Sequence, residues 1–104
     1  MPETYQLFID GKWRPASSGE TIPATNPFNQ EVHAAISVAS AGDVAEAVAA
    51  ARRAYDGPWS KTTPGERASL LNKLAELIDA DASRLAMLET TDNGKVIRET
   101  GSQM

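Results

Sequence analysis

The chain has 104 residues with 41% apolar content, the size of one domain or of a piece of one. Ten Lys and Arg against fourteen Asp and Glu, with no block of like charges, argue against a nucleic-acid or anionic-membrane surface. Because cysteine is absent, these residues hold no disulfide, no thiolate zinc site and no thiol nucleophile.

The N-terminal end of the chain predicts a β-hairpin over residues 7–13. Two short apolar or aromatic arms flank Asp10-Gly11, a pair that accepts positive φ at both central turn positions. The small and polar residues 15–20 then predict a loop.

A second extended ribbon is predicted over residues 21–39. Residues 21–25 have the composition of an edge strand, because Pro23 removes a ladder donor. Residues 26–30 predict a turn, and from Glu31 to Ala39 apolar and polar residues alternate with the period of a half-buried strand.

The helical half begins at Ser40, where Ser40 and Asp43 have the spacing of a capping box with an acid in place of the usual Glu or Gln. The first helix should end near Asp56-Gly57-Pro58. It carries one apolar stripe, made of Val44, Ala47, Val48, Ala51 and Tyr55.

A second helix begins after the cap hydroxyl of Thr63, with Pro64 at its first position and Glu66 placed to reach back to the cap amide. It also has a wide apolar stripe, rich in leucine. Residues 79–81 should end this helix, and Asp81 is predicted to cap the third one.

The third helix carries Leu85, Leu88 and Thr91 at helical spacing and stops at Asn93-Gly94, residues that tolerate a left-handed turn. Residues 96–104 predict the start of a fourth helix, which Gly101 weakens.

Side chains able to do chemistry are few. His33 is interpreted as a solvent-facing histidine on the polar face of its strand. The carboxylates Asp79 with Asp81, or Glu89 with Asp92, could form an acid/base pair, but at helix ends such residues more often cap and solvate. No glycine-rich turn follows a buried strand and opens a helix, so no phosphate-binding loop is predicted.

Five motifs in order resemble the N-terminal part of NAD(P)-dependent aldehyde dehydrogenases, over residues 5–104. No single motif is diagnostic, and the order and spacing carry the resemblance. The motifs are Phe8-Ile9-Asp10-Gly11-Lys12-Trp13, Asn26-Pro27 followed by Glu31-Val32, Trp59, Arg67 with Leu70-Leu71, and Glu89-Thr90-Thr91-Asp92-Asn93-Gly94-Lys95.

The resemblance implies an α/β fold, the N-terminal piece of a Rossmann-like coenzyme-binding domain: two short antiparallel β-ribbons, three helices and the start of a fourth. Residues 1–104 would form a partial coenzyme-binding domain. Ribbons would occupy residues 5–39, helices residues 40–95 and a truncated helix residues 96–104.

The resemblance also implies that the whole enzyme oxidises an aldehyde to a carboxylic acid through a cysteine thiohemiacetal and thioester, with NAD or NADP as acceptor. The catalytic and NAD-binding residues of the family lie downstream of these residues. We therefore expect an N-terminal fragment that is inactive alone, binds no cofactor tightly and joins the remainder of a cytoplasmic homodimer or homotetramer. The alternative is a stand-alone, non-catalytic interaction module whose exposed helix stripes bind a partner.

One family site can be placed on this sequence. Some members hold Na⁺ or K⁺ with carbonyl oxygens of the turn that matches Thr25-Asn26-Pro27 and with the aspartate that matches Asp92, hard oxygen ligands suited to such ions. The resemblance thus implies a monovalent cation site at Thr25 and Asp92. The alternative is that Asp92 only helps to end its helix.

Overall fold

A computed structural model describes residues 2–103, and these residues divide into two compact units. One unit comprises residues 2–24 and 32–61, and the other comprises residues 25–31 and 62–103. The described residues contain no helix long and apolar enough to cross a membrane.

In the first unit, the predicted hairpin is confirmed. Strand β2 (Leu7–Ile9) pairs antiparallel with β3 (Lys12–Arg14), and the rings of Phe8 and Trp13 lie opposite each other with their centroids 4.9 Å apart. Asp10 and Gly11 have φ values of 54° and 74°, the conformation that a tight hairpin turn requires.

The second predicted ribbon is present, and an additional strand extends it. Strands β4 (Thr21–Thr25) and β5 (Val32–Ser37) are neighbours in a sheet of order β1-β5-β4. The N–H of Val38 donates to the carbonyl of Glu20, so the end of β5 meets the start of β4 and the two strands run antiparallel. Strand β1 (Glu3–Tyr5), which the sequence did not predict, pairs parallel with β5.

Helix α1 (Ala41–Asp56) begins with the predicted capping box, and a 3₁₀ turn (Pro58–Lys61) follows it. The face of α1 that is buried differs from the predicted stripe. Asp43 and Ala50 are buried, whereas Val44, Val48 and Tyr55 are 54–63% exposed. The predicted apolar stripe of α1 therefore lies uncovered.

The second unit contains α2 (Pro64–Ala80), α3 (Ala82–Asn93) and α4 (Ile97–Gln103), with α3 in contact with both of the others. The capping box of Thr63 and Glu66 at the start of α2 is confirmed. Helix α4 confirms the predicted fourth helix, and the part of that prediction that concerns residue 104 lies outside the described residues.

The predicted cap of α3 is wrong. Asp81 occupies the N-cap position, but its side chain makes no capping hydrogen bond. Its carboxylate accepts hydrogen bonds from the guanidinium of Arg84 instead, and this interaction lowers the pKa of Asp81 below its usual value. A charged donor one turn away competes successfully with the backbone amides.

The apolar residues buried among those described are small: Ala16, Ala34, Ala50 and Ala86. Large apolar side chains remain exposed instead. Helix α2 has no buried residue, and its leucines form an exposed face made of Leu70, Leu71, Leu74 and Leu77. A soluble monomer rarely exposes so much contiguous apolar surface, so this leucine face has the character of an interface.

Candidate cation site and buried polar cluster

The two residues predicted for the cation site belong to the same compact unit. Thr25 is the last residue of β4, and Asp92 lies in the last turn of α3. Both are exposed to solvent. No group of three or more His, Asp or Glu within residues 2–103 is arranged to hold a metal ion. A site here would therefore depend on main-chain carbonyls, and the cation site stays a prediction.

The turn that follows Thr25 is held by its own hydrogen bonds. The side-chain oxygen of Asn26 accepts from the N–H of Phe28 at 2.9 Å, and the carbonyl of Asn26 accepts from the N–H of Gln30 at 2.9 Å. The N–H of Asn26 in turn donates to the carbonyl of Glu31. This turn, residues 26–31, is therefore fixed locally.

The end of α3 packs closely against this turn. Gly94 has φ 78°, and its N–H donates to the carbonyl of Thr90 at 3.0 Å. A side-chain Cβ built on Gly94 would lie 2.9 Å from Cγ of Pro27, closer than two carbons approach without a clash. Only glycine meets both demands, a left-handed backbone and no side chain.

Asn93 also helps to end α3, since its side-chain oxygen accepts the N–H of Lys95 at 2.8 Å. The hydrogen bonds that terminate the helix thus come from Asn93 and Gly94.

The first unit holds a buried polar cluster centred on Asp43, which is 4% exposed. Its Oδ2 accepts hydrogen bonds from the N–H and the hydroxyl of Ser17 and from the N–H and the hydroxyl of Ser40, at 2.9–3.0 Å. Arg14 lies 3.5 Å from Oδ1 of Asp43 and forms an ion pair with Glu46 at 2.6 Å. The sequence predicted Ser40 with Asp43 and missed Ser17 and Arg14.

The hydrogen bonds around Asp43 indicate a structural role for this carboxylate rather than a catalytic one. The backbone N–H of Ser40 and the donors of Ser17 lower the pKa of Asp43 to about 2, although burial opposes the shift. A carboxylate with so low a pKa is a weak general base near neutral pH. Asp43 therefore serves as an acceptor that joins the loop after β3 to the start of α1.

The N-terminus of α1 is closed by its own capping box. In a Rossmann-like unit the pyrophosphate sits at the N-terminus of a helix that follows a strand, where free N–H groups receive it. Here α1 follows β5, but the Ser40 hydroxyl accepts the N–H of Asp43, and the Asp43 carboxylate occupies the same helix end. A negative carboxylate at this end would repel a phosphate.

The remaining candidates for acid/base chemistry are His33 and the two carboxylate pairs. His33 is half-buried, so the predicted solvent-facing position is wrong. On the predicted apolar face of β5, Ala34 is 2% exposed, whereas Val32 and Ile36 are 48% and 38% exposed, so that face is covered only at its centre. Glu89 lies 3.6 Å from the ammonium of Lys95, and Asp81 accepts a hydrogen bond from Arg84, so one member of each carboxylate pair interacts with a cationic side chain.

The family model for the aldehyde dehydrogenase family matches residues 13–104. An aminoacetaldehyde dehydrogenase of Pseudomonas aeruginosa is 47% identical over 95 residues, which are 90% of this chain and 19% of the relative. A betaine aldehyde dehydrogenase of Bacillus subtilis is 44% identical over 99 residues, 94% of this chain and 20% of the relative.

Among solved structures, the crystal structure of an NAD-dependent aldehyde dehydrogenase from Sinorhizobium meliloti superposes with a TM-score of 0.94 at 41% identity. The superposition covers 99% of this chain and 21% of that protein. The chain thus spans about a fifth of the length of the relatives it matches. This match in sequence and in three-dimensional structure shows that the chain belongs to the aldehyde dehydrogenase family.

Proposed function

We propose that the chain is the N-terminal segment of an NAD(P)-dependent aldehyde dehydrogenase that oxidises an aldehyde to a carboxylic acid. The observation that carries the proposal is the superposition of nearly the whole chain on a fifth of an NAD-dependent enzyme at a TM-score of 0.94. In the enzyme that we propose for this chain, these residues form part of the structural scaffold. The thiol nucleophile and the coenzyme site would come from the remainder of the enzyme, because this chain has no cysteine and the N-termini of α1 and α2 are capped by its own side chains.

The exposed leucine face of α2 supports this proposal. Burial of a leucine side chain stabilises a protein by about 1.5–3 kcal/mol relative to leaving it in water. Leu70, Leu71, Leu74 and Leu77 are each more than half exposed, so the chain alone does not realise this stabilisation. The remainder of the enzyme is the partner that would cover the face.

The coenzyme, assembly and location follow from the same proposal. NAD or NADP would bind the completed enzyme, the enzyme would assemble as a homodimer or homotetramer, and it would act on its aldehyde in the cytoplasm. The Sinorhizobium meliloti enzyme on which this chain superposes is NAD-dependent, which favours NAD over NADP as the coenzyme.

An exchange experiment tests the proposal. The matching N-terminal fifth of the B. subtilis betaine aldehyde dehydrogenase is replaced by this chain, and formation of NADH or NADPH from betaine aldehyde is followed by absorbance. We expect the exchanged enzyme to retain activity, because 44% identity over the replaced region preserves the packing surface. The chain alone should form no reduced coenzyme with any aldehyde.

Two further samples make the exchange decisive. The betaine enzyme without its N-terminal fifth should be inactive, which shows that the segment is needed. Turnover by the purified 104-residue chain, or a soluble but inactive exchanged enzyme, would contradict the proposal. A folded, monodisperse monomer of this chain with cooperative melting would favour a stand-alone interaction module instead.

We further propose that Thr25 and Asp92 contribute to a site for Na⁺ or K⁺ in the completed enzyme. Supporting the proposal are the fixed turn of residues 26–31 and its close packing against Gly94, two residues beyond Asp92. A carboxylate with carbonyl oxygens is a suitable ligand set for a hard cation.

Thermal melting of the exchanged enzyme in rising KCl or NaCl tests the cation site, with tetramethylammonium chloride as the ionic-strength control. Specific binding should raise the melting temperature, by the equivalent of about 2.7 kcal/mol when the cation reaches 100 times its Kd. Asp92→Ala should abolish the rise. Asp79→Ala, which removes an exposed carboxylate at the end of α2, should leave it intact. An equal rise in both variants would exclude Asp92 as a ligand.

A further inference from the structure

Asn93-Gly94 is the only Asn-Gly pair in the chain. Asparagine is a thermolabile residue, and its side-chain amide is most easily lost when glycine follows, since no side chain hinders attack by the next backbone nitrogen. Asn93 is exposed, so water and hydroxide have access to it.

The folded structure engages both groups that would react. The nucleophile, the nitrogen of Gly94, donates its N–H to the carbonyl of Thr90 at 3.0 Å. The electrophile, the side-chain amide of Asn93, is held through its oxygen by the N–H of Lys95 at 2.8 Å. The ring of Pro27 lies close to Gly94, since a Cβ built on Gly94 would be 2.9 Å from Cγ of Pro27.

We propose that Asn93 is a site of spontaneous deamidation whose rate is set by opening of the last turn of α3. In the open turn the nitrogen of Gly94 attacks Cγ of Asn93. The N–Cγ bond forms, the Cγ–Nδ2 bond breaks, and ammonia leaves with the proton that the Gly94 nitrogen gives up. Water then opens one of the two C–N bonds of the cyclic imide and leaves aspartate or isoaspartate at position 93.

Isoaspartate at position 93 would disrupt the end of α3. Isoaspartate adds one carbon to the main chain between Asn93 and Gly94 and places a new carboxylate beside Asp92. The hydrogen bond to Thr90 and the contact with Pro27 both depend on the original backbone length. A chain with isoaspartate at position 93 therefore cannot restore the native end of α3.

The test incubates the exchanged enzyme at mildly alkaline pH with increasing urea and measures deamidation at all four asparagines of this chain by peptide mass spectrometry. Exchange of the Gly94 amide hydrogen is measured in the same samples. Relative to a peptide of residues 89–96, Asn93 in the native protein should react more slowly by the factor by which the Gly94 amide is protected. Tenfold protection corresponds to about 1.4 kcal/mol of opening free energy.

Pro27→Ala should speed reaction at Asn93 and leave Asn72, in the middle of α2, unchanged. A variant that opens α3 completely should reach the rate of the peptide. Reaction of native Asn93 at the peptide rate while the Gly94 amide stays protected would overturn the proposal. An unprotected Gly94 amide in the native protein would also overturn the proposal. So would deamidation in urea that is no faster at Asn93 than at Asn72.

Discussion

Gly94→Ala is expected to destabilise the end of α3 by roughly 2–5 kcal/mol. A side chain in the left-handed conformation costs about 1–2 kcal/mol, and Gly94 has φ 78°. Its new Cβ would lie 2.9 Å from Cγ of Pro27, so one of the two segments must move, and overpacking of this kind costs typically 1–3 kcal/mol. The two costs are added because the new Cβ meets a different group in each case, the carbonyl oxygen of its own backbone in the first and Cγ of Pro27 in the second.

Native-state hydrogen exchange of the α3 amides in the exchanged enzyme measures this effect. A loss of 2–5 kcal/mol accelerates exchange roughly 30-fold to several thousandfold, up to the limit set by global unfolding.

Gly101→Ala is the matched control. Gly101 lies inside α4, and apart from its own helix backbone and its chain neighbours no heavy atom of residues 2–103 lies within 4 Å of the position that its Cβ would take. This substitution should therefore stabilise the helix by about 0.5–1 kcal/mol. Equal destabilisation by both substitutions, or none by Gly94→Ala, would contradict the proposed roles of the backbone conformation and the Pro27 contact.

Asp43 is expected to titrate at about 2 in the folded protein, well below its ordinary pKa of 3.8. The lowered pKa means that folding favours the carboxylate, so the stabilisation is complete above about pH 4 and is lost as the pH falls through about 2. The side-chain ¹³C resonance of Asp43, followed by NMR over an acid titration, gives the pKa directly.

Two serine variants test whether the hydrogen bond from Ser17 lowers the pKa of Asp43. Ser17→Ala removes one donor to Oδ2 of Asp43 and should raise the pKa of Asp43. Ser18→Ala, whose hydroxyl donates to the carbonyl of Val38 instead, should leave it unchanged. Asp43→Asn, which cannot ionise, should flatten the acid dependence of stability between pH 4 and 2. A pKa near 3.8 in the unmodified protein would refute the role of these hydrogen bonds.

Features set by neighbours in the chain were predicted well from sequence. The capping boxes at Ser40 and Thr63 form between residues three apart, and the hairpin depends on the adjacent pair Asp10-Gly11. Where two local interactions competed, the prediction was wrong, as at Asp81, whose carboxylate binds Arg84 rather than the start of α3.

Features that join distant residues could not be predicted in this way. Strand β1 places Glu3 opposite Ala34, a pairing that no local pattern encodes. On β5 the alternation placed Val32, Ala34 and Ile36 on one face, but only Ala34 is buried, because a local pattern does not show how much of a face its neighbours cover. The candidate cation site at Thr25 and Asp92 was predicted only from the resemblance to the family. The residue types and their spacing did not show how far apart these two residues lie.

The sequence by itself determined the order of the strands from β2 onward and of the four α-helices, the starts and stops of those helices and, through ordered motifs, the family. These depend on hydrogen bonds and conformational preferences within a few residues. Only the tertiary structure decided that Asp43 accepts from Ser17, 26 residues away, and that Pro27 packs against Gly94. Burial makes such contacts selective, since a buried carboxylate needs donors and a close approach admits only glycine, and burial is a property of the assembled chain.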